Sequence, residues 1–475
     1  MSNLISSNRW PWFFCGLLLT VSFCVVTLFG EQFGYNVPLA EKPVLLFVLA
    51  LGFAGAAYLL ISRFVQRAEY RLRYVVWIVA VGAAMRILMF LPPPILEDDL
   101  YRYMWDGAVT ANGYNPYAYS PKDVLDRAEN SKEIPSGLLA LAEESGEVAG
   151  RINHPQYRTI YPPVTQAVFA IAYFISPWNT DALRLVYLLF DIATLVLLFA
   201  IMRELRLSPL LLAIYWLNPL LVKEIYNSLH MDIVAFPFVL GGLYLAGKNR
   251  FFASVLVFAL AAGTKLWPIA LVPLVLRREA SNTKRLLGGI ALFTAAGALI
   301  FAPVFAAGLG GNAGLAVYYE KWQNNAGAFK ILLWAGEFAL ETMGIHPGHG
   351  QSVARVLVVV LVALWIGLLS LKPLVDMKQL FDRSVLIVGA MFLLSPTQFP
   401  WYYTWLVPLL AVSPRTSLLV LTMLLPLYYM RYFLEPRGWM FYFDNLVVWV
   451  EFIPIWILLL MESRLHFLKD VNNRD

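Results

Sequence analysis

Three adjacent carboxylates, Glu97, Asp98 and Asp99, follow an apolar run that ends near Leu91, in the stretch ILEDDLYRYMWDGAVTANGYNPYAYSP. Acids held where lipid gives way to water lose hydration and repel one another. At least one pKa is then expected to rise, and a carboxylate so placed suits general-base chemistry. A solvated helix start accounts for the same residues, because Asp and Glu favour a first helical turn. The surroundings favour a shaped surface: Tyr101, Tyr103 and Trp105 sit on a helical stretch, and Gly113, Asn115, Pro116 and Tyr117 make a turn after it. Further along, Asn227, His230 and Asp232 come together after a short apolar segment, with Glu224 close by. Lys265 lies between two short apolar runs, where an ammonium is either costly and functional or snorkels to the interface. The segments AVYYEKWQNNAGAF (316–329) and QFPWYYTW (398–405) mix aromatics with amides, a combination that serves sugar recognition and a membrane-interface belt equally well. No His, Asp or Glu set shows a recognised ligand spacing, so neither a metal nor any other cofactor is expected.

The elements that must position these residues belong to a membrane. Of 475 residues, 60% are hydrophobic, 15% aromatic and only 14% charged, and the mean hydropathy is positive. A soluble chain cannot hide that much apolar surface, and neither a secreted disulfide scaffold nor a disordered tail has this composition. Cys15 and Cys24 share one apolar run and show no sign of a bridge. The net charge of +5 sits in short clusters between apolar runs, which is a topology signal and not a nucleic-acid patch. Arg63, Arg67, Arg71 and Arg73 between the second and third runs place that loop in the cytoplasm. The stretch from Pro92 to Ile160 then lies outside, and its 11 acidic against 6 basic residues, counted from Glu97, agree. With 161–176 at the interface, the later basic clusters all fall inside. About fourteen crossings result, with both termini cytoplasmic. Runs such as 208–222, 251–263, 266–276 and 384–395 are too short to span alone, so their ends are expected to ring a protein-lined cavity. The chain reads as one membrane-embedded domain, 1–475. Its outer loops 92–180 and 308–352 are the expected catalytic and acceptor sides.

The run EDDLYRYMWDG…NGYNPYAYSP with INHPQYRTIYPPVTQ (152–166) resembles the first outer loop of membrane glycosyltransferases of the GT-C fold. It is most similar to the bacterial mannosyltransferase-like group that uses polyprenyl-phosphate sugars. NPLLVKEIYNSLHMD, TKLWPIALVPL and SPTQFPWYYTWLVP continue the likeness in order. The resemblance implies an all-α, polytopic, GT-C-like protein of the cell membrane, with interfacial helices in its outer loops and an active site facing the periplasm or exterior. It implies a hexosyl transfer, of mannose by preference, from a polyprenyl-phosphate sugar to a lipid or glycan acceptor, with inversion. Asp99, three residues before the Arg102-Tyr103 pair, stands where relatives carry the key acid, and Asp98 is the second choice. Lys265 or Arg102 would meet the departing phosphate, since Tyr161-Pro162-Pro163 stands where relatives present Lys-Pro-Pro. Tyr161, His230, Asp232, Trp322, Gln323 and Asn324 are the expected sugar and acceptor contacts. Membrane lipids are expected neighbours, and nucleic acid is not a partner. A multi-pass transporter or flippase shares the many helices and broken spans, but it should carry ionisable residues in mid-helix on several spans. Here Arg86 and Asp191 are the main examples, and they are expected structural partners.

Overall fold

A computed structural model describes residues 10–126, 134–308, 314 and 322–472. Among these every regular element is helical, and one parallel bridge joins Asn324 to Thr397. Eight helices are long and apolar enough to cross a membrane: Trp10–Leu28, Val44–Val65, Leu72–Phe90, Thr180–Glu204, Thr283–Ile300, Gly350–Leu371, Thr416–Arg437 and Met440–Arg464. Pro219–Asn227 and Met231–Gly247, bent by 103° at their junction, supply a ninth if they form one broken crossing. Pro163–Ile175, Phe251–Thr264 and Trp267–Arg277 are apolar but shorter. Phe13, Leu49, Phe53, Leu189 and Val196 stay exposed on the long helices, as lipid-facing residues do. Cys15 and Cys24 are unbridged.

The two ends of the bundle differ in chemistry. Arg184, near the start of Thr180–Glu204, donates to the carbonyls of Tyr226 (2.9 Å) and Pro92 (3.3 Å). At the other end of that helix, about 30 Å away at 1.5 Å per residue, Glu204 pairs with Lys248 at 3.0 Å. Around this far end Arg278 donates to Asn249, Arg277 to the Leu371 carbonyl, and Arg383 to the carbonyls of Leu369, Lys372 and Pro373. The later basic loops thus gather at one pole, away from the carboxylates.

Arg86 and Asp191 meet, fully buried between the poles, with Arg86 Nε donating to Asp191 Oδ2 at 2.7 Å. Tyr215 and Tyr226 also donate to Asp191, and Arg86 donates to the Trp216 carbonyl at 2.8 Å. A lone charge at this depth costs several kcal/mol, about, and the pairing with three further hydrogen bonds offsets it.

Two elements carry the loop 92–180. The helix Asp99–Ala111 packs along Pro163–Ile175, which at 13 residues is about 20 Å long and too short to span. Gly107 lets them approach: a Cβ there would lie 2.6 Å from the Phe169 carbonyl oxygen. Gly107→Ala is expected to destabilise the protein by about 1–3 kcal/mol through overpacking, read as a lower midpoint of thermal unfolding in detergent.

Candidate active site

The loop after the Leu72–Phe90 helix reaches Asp99 through a strained turn. Leu96 has φ +59°, a left-handed conformation that a branched side chain adopts only under constraint. Asn227 supplies the constraint, accepting from the Ile95 N–H at 3.0 Å and donating to the Pro93 carbonyl at 2.9 Å. Beyond the turn the three acids part. Asn153 gives one amide group to both aspartates, at 2.8 Å to Asp98 Oδ1 and 2.7 Å to Asp99 Oδ1. Asp98 keeps an exposed outer edge, yet loss of hydration around its carboxylate, and then the neighbouring Asp99, raise its pKa. Asp99 is half-buried and lies within electrostatic reach of Tyr103, Tyr161 and His230. Asn153→Ala is expected to lower kcat about tenfold with little change in unfolding temperature, because the carboxylates lose their common anchor.

Glu97 turns inward. Its carboxylate is 5% exposed and lies 3.4 Å from His230 Nε2 and 3.9 Å from Lys223 Nζ. Burial pushes this carboxyl up to about 6, against the downward pull of His230 and Lys223. Lys223 and Glu224 come from the broken helix. Asn218 caps Pro219–Val222, accepting from the Leu221 N–H at 2.9 Å, and Lys223–Asn227 then widens into a π-turn of the kind often found at functional sites. Leu229, with φ +60°, ends it and delivers His230. Tyr429 joins this cluster, accepting from Lys223 and donating to Glu224 Oε1 at 2.5 Å. The His230 ring stacks on Trp401 at 4.1 Å.

Asp232 lies behind Lys265. The two form an ion pair, Trp405 Nε1 donates to the same Asp232 oxygen, and the Lys265 ammonium stands 4.5 Å from the Tyr402 ring centre and 5.0 Å from that of Trp405. Lys265 is 20% exposed and Asp232 only 1%. Lys265 therefore has a partner and is still partly exposed, whereas Asp232 is buried behind it. Tyr103, within reach of both Asp99 and Asp232, stacks on Phe169 at 4.7 Å and meets Tyr161 edge-on at 4.9 Å. Burial raises both phenols well above their ordinary value, so they remain hydrogen-bond donors.

Arg102 is buried, and its Nη2 donates to the carbonyls of His154 (3.1 Å) and Tyr157 (3.2 Å), which fixes the loop holding Asn153. Of the segment 316–329, residues 316–321 lie outside the described residues. The rest closes on the first loop: the Trp322 ring packs at 4.9 Å from His154, and its carbonyl accepts from Arg355 at 2.9 Å and Thr397 at 3.2 Å. Asn324 pairs through its backbone with residues 396–398. Gln323 is exposed, 3.4 Å from Gln351. Asp98, Asp99, Tyr161, His230, Asp232 and Lys265 thus share one region, with Trp322–Asn324 at its edge.

Two residues of weight, Asn153 and Lys223, escaped the sequence reading. Asn153 had no signal beyond its place in INHPQ. Lys223 had one, since a Lys-Glu pair inside an apolar stretch needs a partner. The fold also brings Glu97, Glu224 and His230 from separate stretches to within 4.8 Å, a metal-competent set invisible in their spacing.

The family model described as alpha-(1->6)-mannopyranosyltransferase, N-terminal domain (the MptA_B family) matches residues 25–280, more than half of the chain and every one of these groups up to Lys265. The chain belongs to this mannosyltransferase family. No curated protein and no solved structure matches it. The matched region of this mannosyltransferase ends before Trp322 and Trp401, so the aromatic wall comes from the part beyond it.

Proposed function

We propose that this mannosyltransferase takes mannose from a polyprenyl-phosphate donor and attaches it, with inversion, to a hydroxyl of a lipid or glycan acceptor. The α-(1→6) linkage in the family's description makes a 6-hydroxyl of a mannoside the preferred acceptor and, with inversion, a β-linked donor. Asp99 removes the hydroxyl proton as the oxygen bonds to the anomeric carbon, and the bond from that carbon to the phosphate oxygen breaks. The leaving group departs as an anion, so the protein's task there is positive charge, which Lys265 supplies. Arg102, spent on backbone carbonyls, positions the loop instead. No metal acts on the phosphate in this scheme.

The observation that carries the reading is that Tyr103 lies within electrostatic reach both of half-buried Asp99 and of Asp232, the buried ion-pair partner of the partly exposed Lys265. The GT-C architecture, the cytoplasmic termini and an outward-facing site belong to the same proposal, supported by the separation of the basic pole from the carboxylates and by the broken helix at the site. Against the about fourteen crossings expected, eight helices among the described residues, or nine with the broken pair, are long and apolar enough to span. Purified protein would be incubated with labelled polyprenyl-phosphate mannose and a membrane lipid extract. Label in an α-(1→6)-mannosylated product supports the proposal, and label taken only from a nucleotide sugar refutes it.

A further inference from the structure

Glu97, Glu224 and His230 pose a problem that the transfer chemistry does not solve. Glu224 and His230 have no exposure and Glu97 almost none. Both ring nitrogens of His230 and Glu97 Oε1 are buried without a hydrogen-bond partner. One nitrogen, His230 Nε2, lies 3.4 Å from Glu97 Oε2 and 3.5 Å from Glu224 Oε2. Two donors on a tetrahedral centre with bonds of about 2.0–2.1 Å stand about 3.3–3.5 Å apart, so these separations are those of ligands around an ion. Lys223 Nζ stands 3.9 Å from Glu97 Oε1 and 3.5 Å from Glu224 Oε2, one ammonium beside two carboxylates. Tyr429 donating to Glu224 Oε1 orients that carboxylate in the way outer partners of metal sites do, and Trp401 stacks on the His230 ring.

We propose that Glu97, Glu224 and His230 bind a divalent ion of the zinc class, with water at the fourth position. The ion ties the loop 92–98 to the break of the helix at His230, and so sets the place of Asp99 two residues beyond Glu97. It is a positioning element, apart from the phosphate contact of Lys265.

The test is metal content of the full-length protein purified in detergent without chelator, by plasma mass spectrometry, with unfolding temperature measured after EDTA and after readdition of zinc. About one equivalent per chain is expected, with a rise of several degrees on readdition, and loss of both in His230→Gln and Glu224→Gln. Zinc is scored separately from manganese and magnesium. Absence of metal from wild type together with no thermal response to zinc overturns the proposal. So does zinc binding that appears only in Lys223→Met, because Lys223 would then be the native counter-ion. Folding of the variants is checked by size-exclusion chromatography, and a shared misfolding of both Gln variants leaves the wild-type zinc content and response to decide.

Discussion

Asp99→Asn is expected to lower kcat about a thousandfold with the unfolding temperature unchanged. Proton removal by a positioned base contributes about 10²–10⁴-fold. Among the described residues Asp99 is the half-buried acid within electrostatic reach of Tyr103, Tyr161 and His230 together. The amide keeps an oxygen for the Asn153 hydrogen bond, so the loop holds its shape while its proton acceptor is lost. Asp98→Asn removes an acid from the exposed edge of the pair and is expected to cost less than about tenfold. Labelled mannose transfer by each purified variant decides it. Wild-type turnover in Asp99→Asn would remove the base assignment, and a deeper loss in Asp98→Asn would move it by one residue.

The second large effect is at Lys265. Lys265→Met is expected to lower kcat/KM by about 10²–10³-fold, the usual consequence of removing one charge aimed at a departing oxyanion. Most of the loss should fall on kcat, since the charge on the phosphate oxygen grows as the glycosidic bond breaks. Lys265→Met also strands buried Asp232, whose carboxylate then keeps Trp405 as its one donor among the described residues. A second variant separates the two effects. If the deficit came from the stranded carboxylate, Lys265→Met with Asp232→Asn would recover activity. The phosphate role requires that it does not, and that Lys265→Arg keeps more activity than either.

Composition and the run lengths were enough to read a many-helix membrane protein, because a bilayer leaves few ways to satisfy a backbone. The acids at 97–99 were legible for a related reason: charge at the end of an apolar helix stands out. Their division of labour was not, since it depends on Leu96 turning left-handed and on an amide 54 residues away from Asp99. Lys265 was visible as a cation at depth, but its partner Asp232 is 33 residues distant and shares a hydrogen bond with Trp405, 173 residues further on. Arg102 stood out by type and position, but its hydrogen bonds to the carbonyls of His154 and Tyr157 come from the return of that loop over the helix, a tertiary event with no local pattern. Short apolar runs such as 208–222 announced broken helices, whereas the break at 228–230, its π-turn and left-handed Leu229 arise from packing.

The short pairing of Asn324 with residues 396–398 has a consequence for anyone recombining such enzymes. Two backbone hydrogen bonds, from the Asn324 N–H to the Pro396 carbonyl at 3.1 Å and from the Gln398 N–H to the Asn324 carbonyl at 3.0 Å, stitch stretches some seventy positions apart into one seam. A chimera that imports a new stretch around 322–342 to alter which alcohol is accepted must import its partner at 395–398 as well. Otherwise the graft arrives without a matching edge, and Trp322 loses its seat against His154.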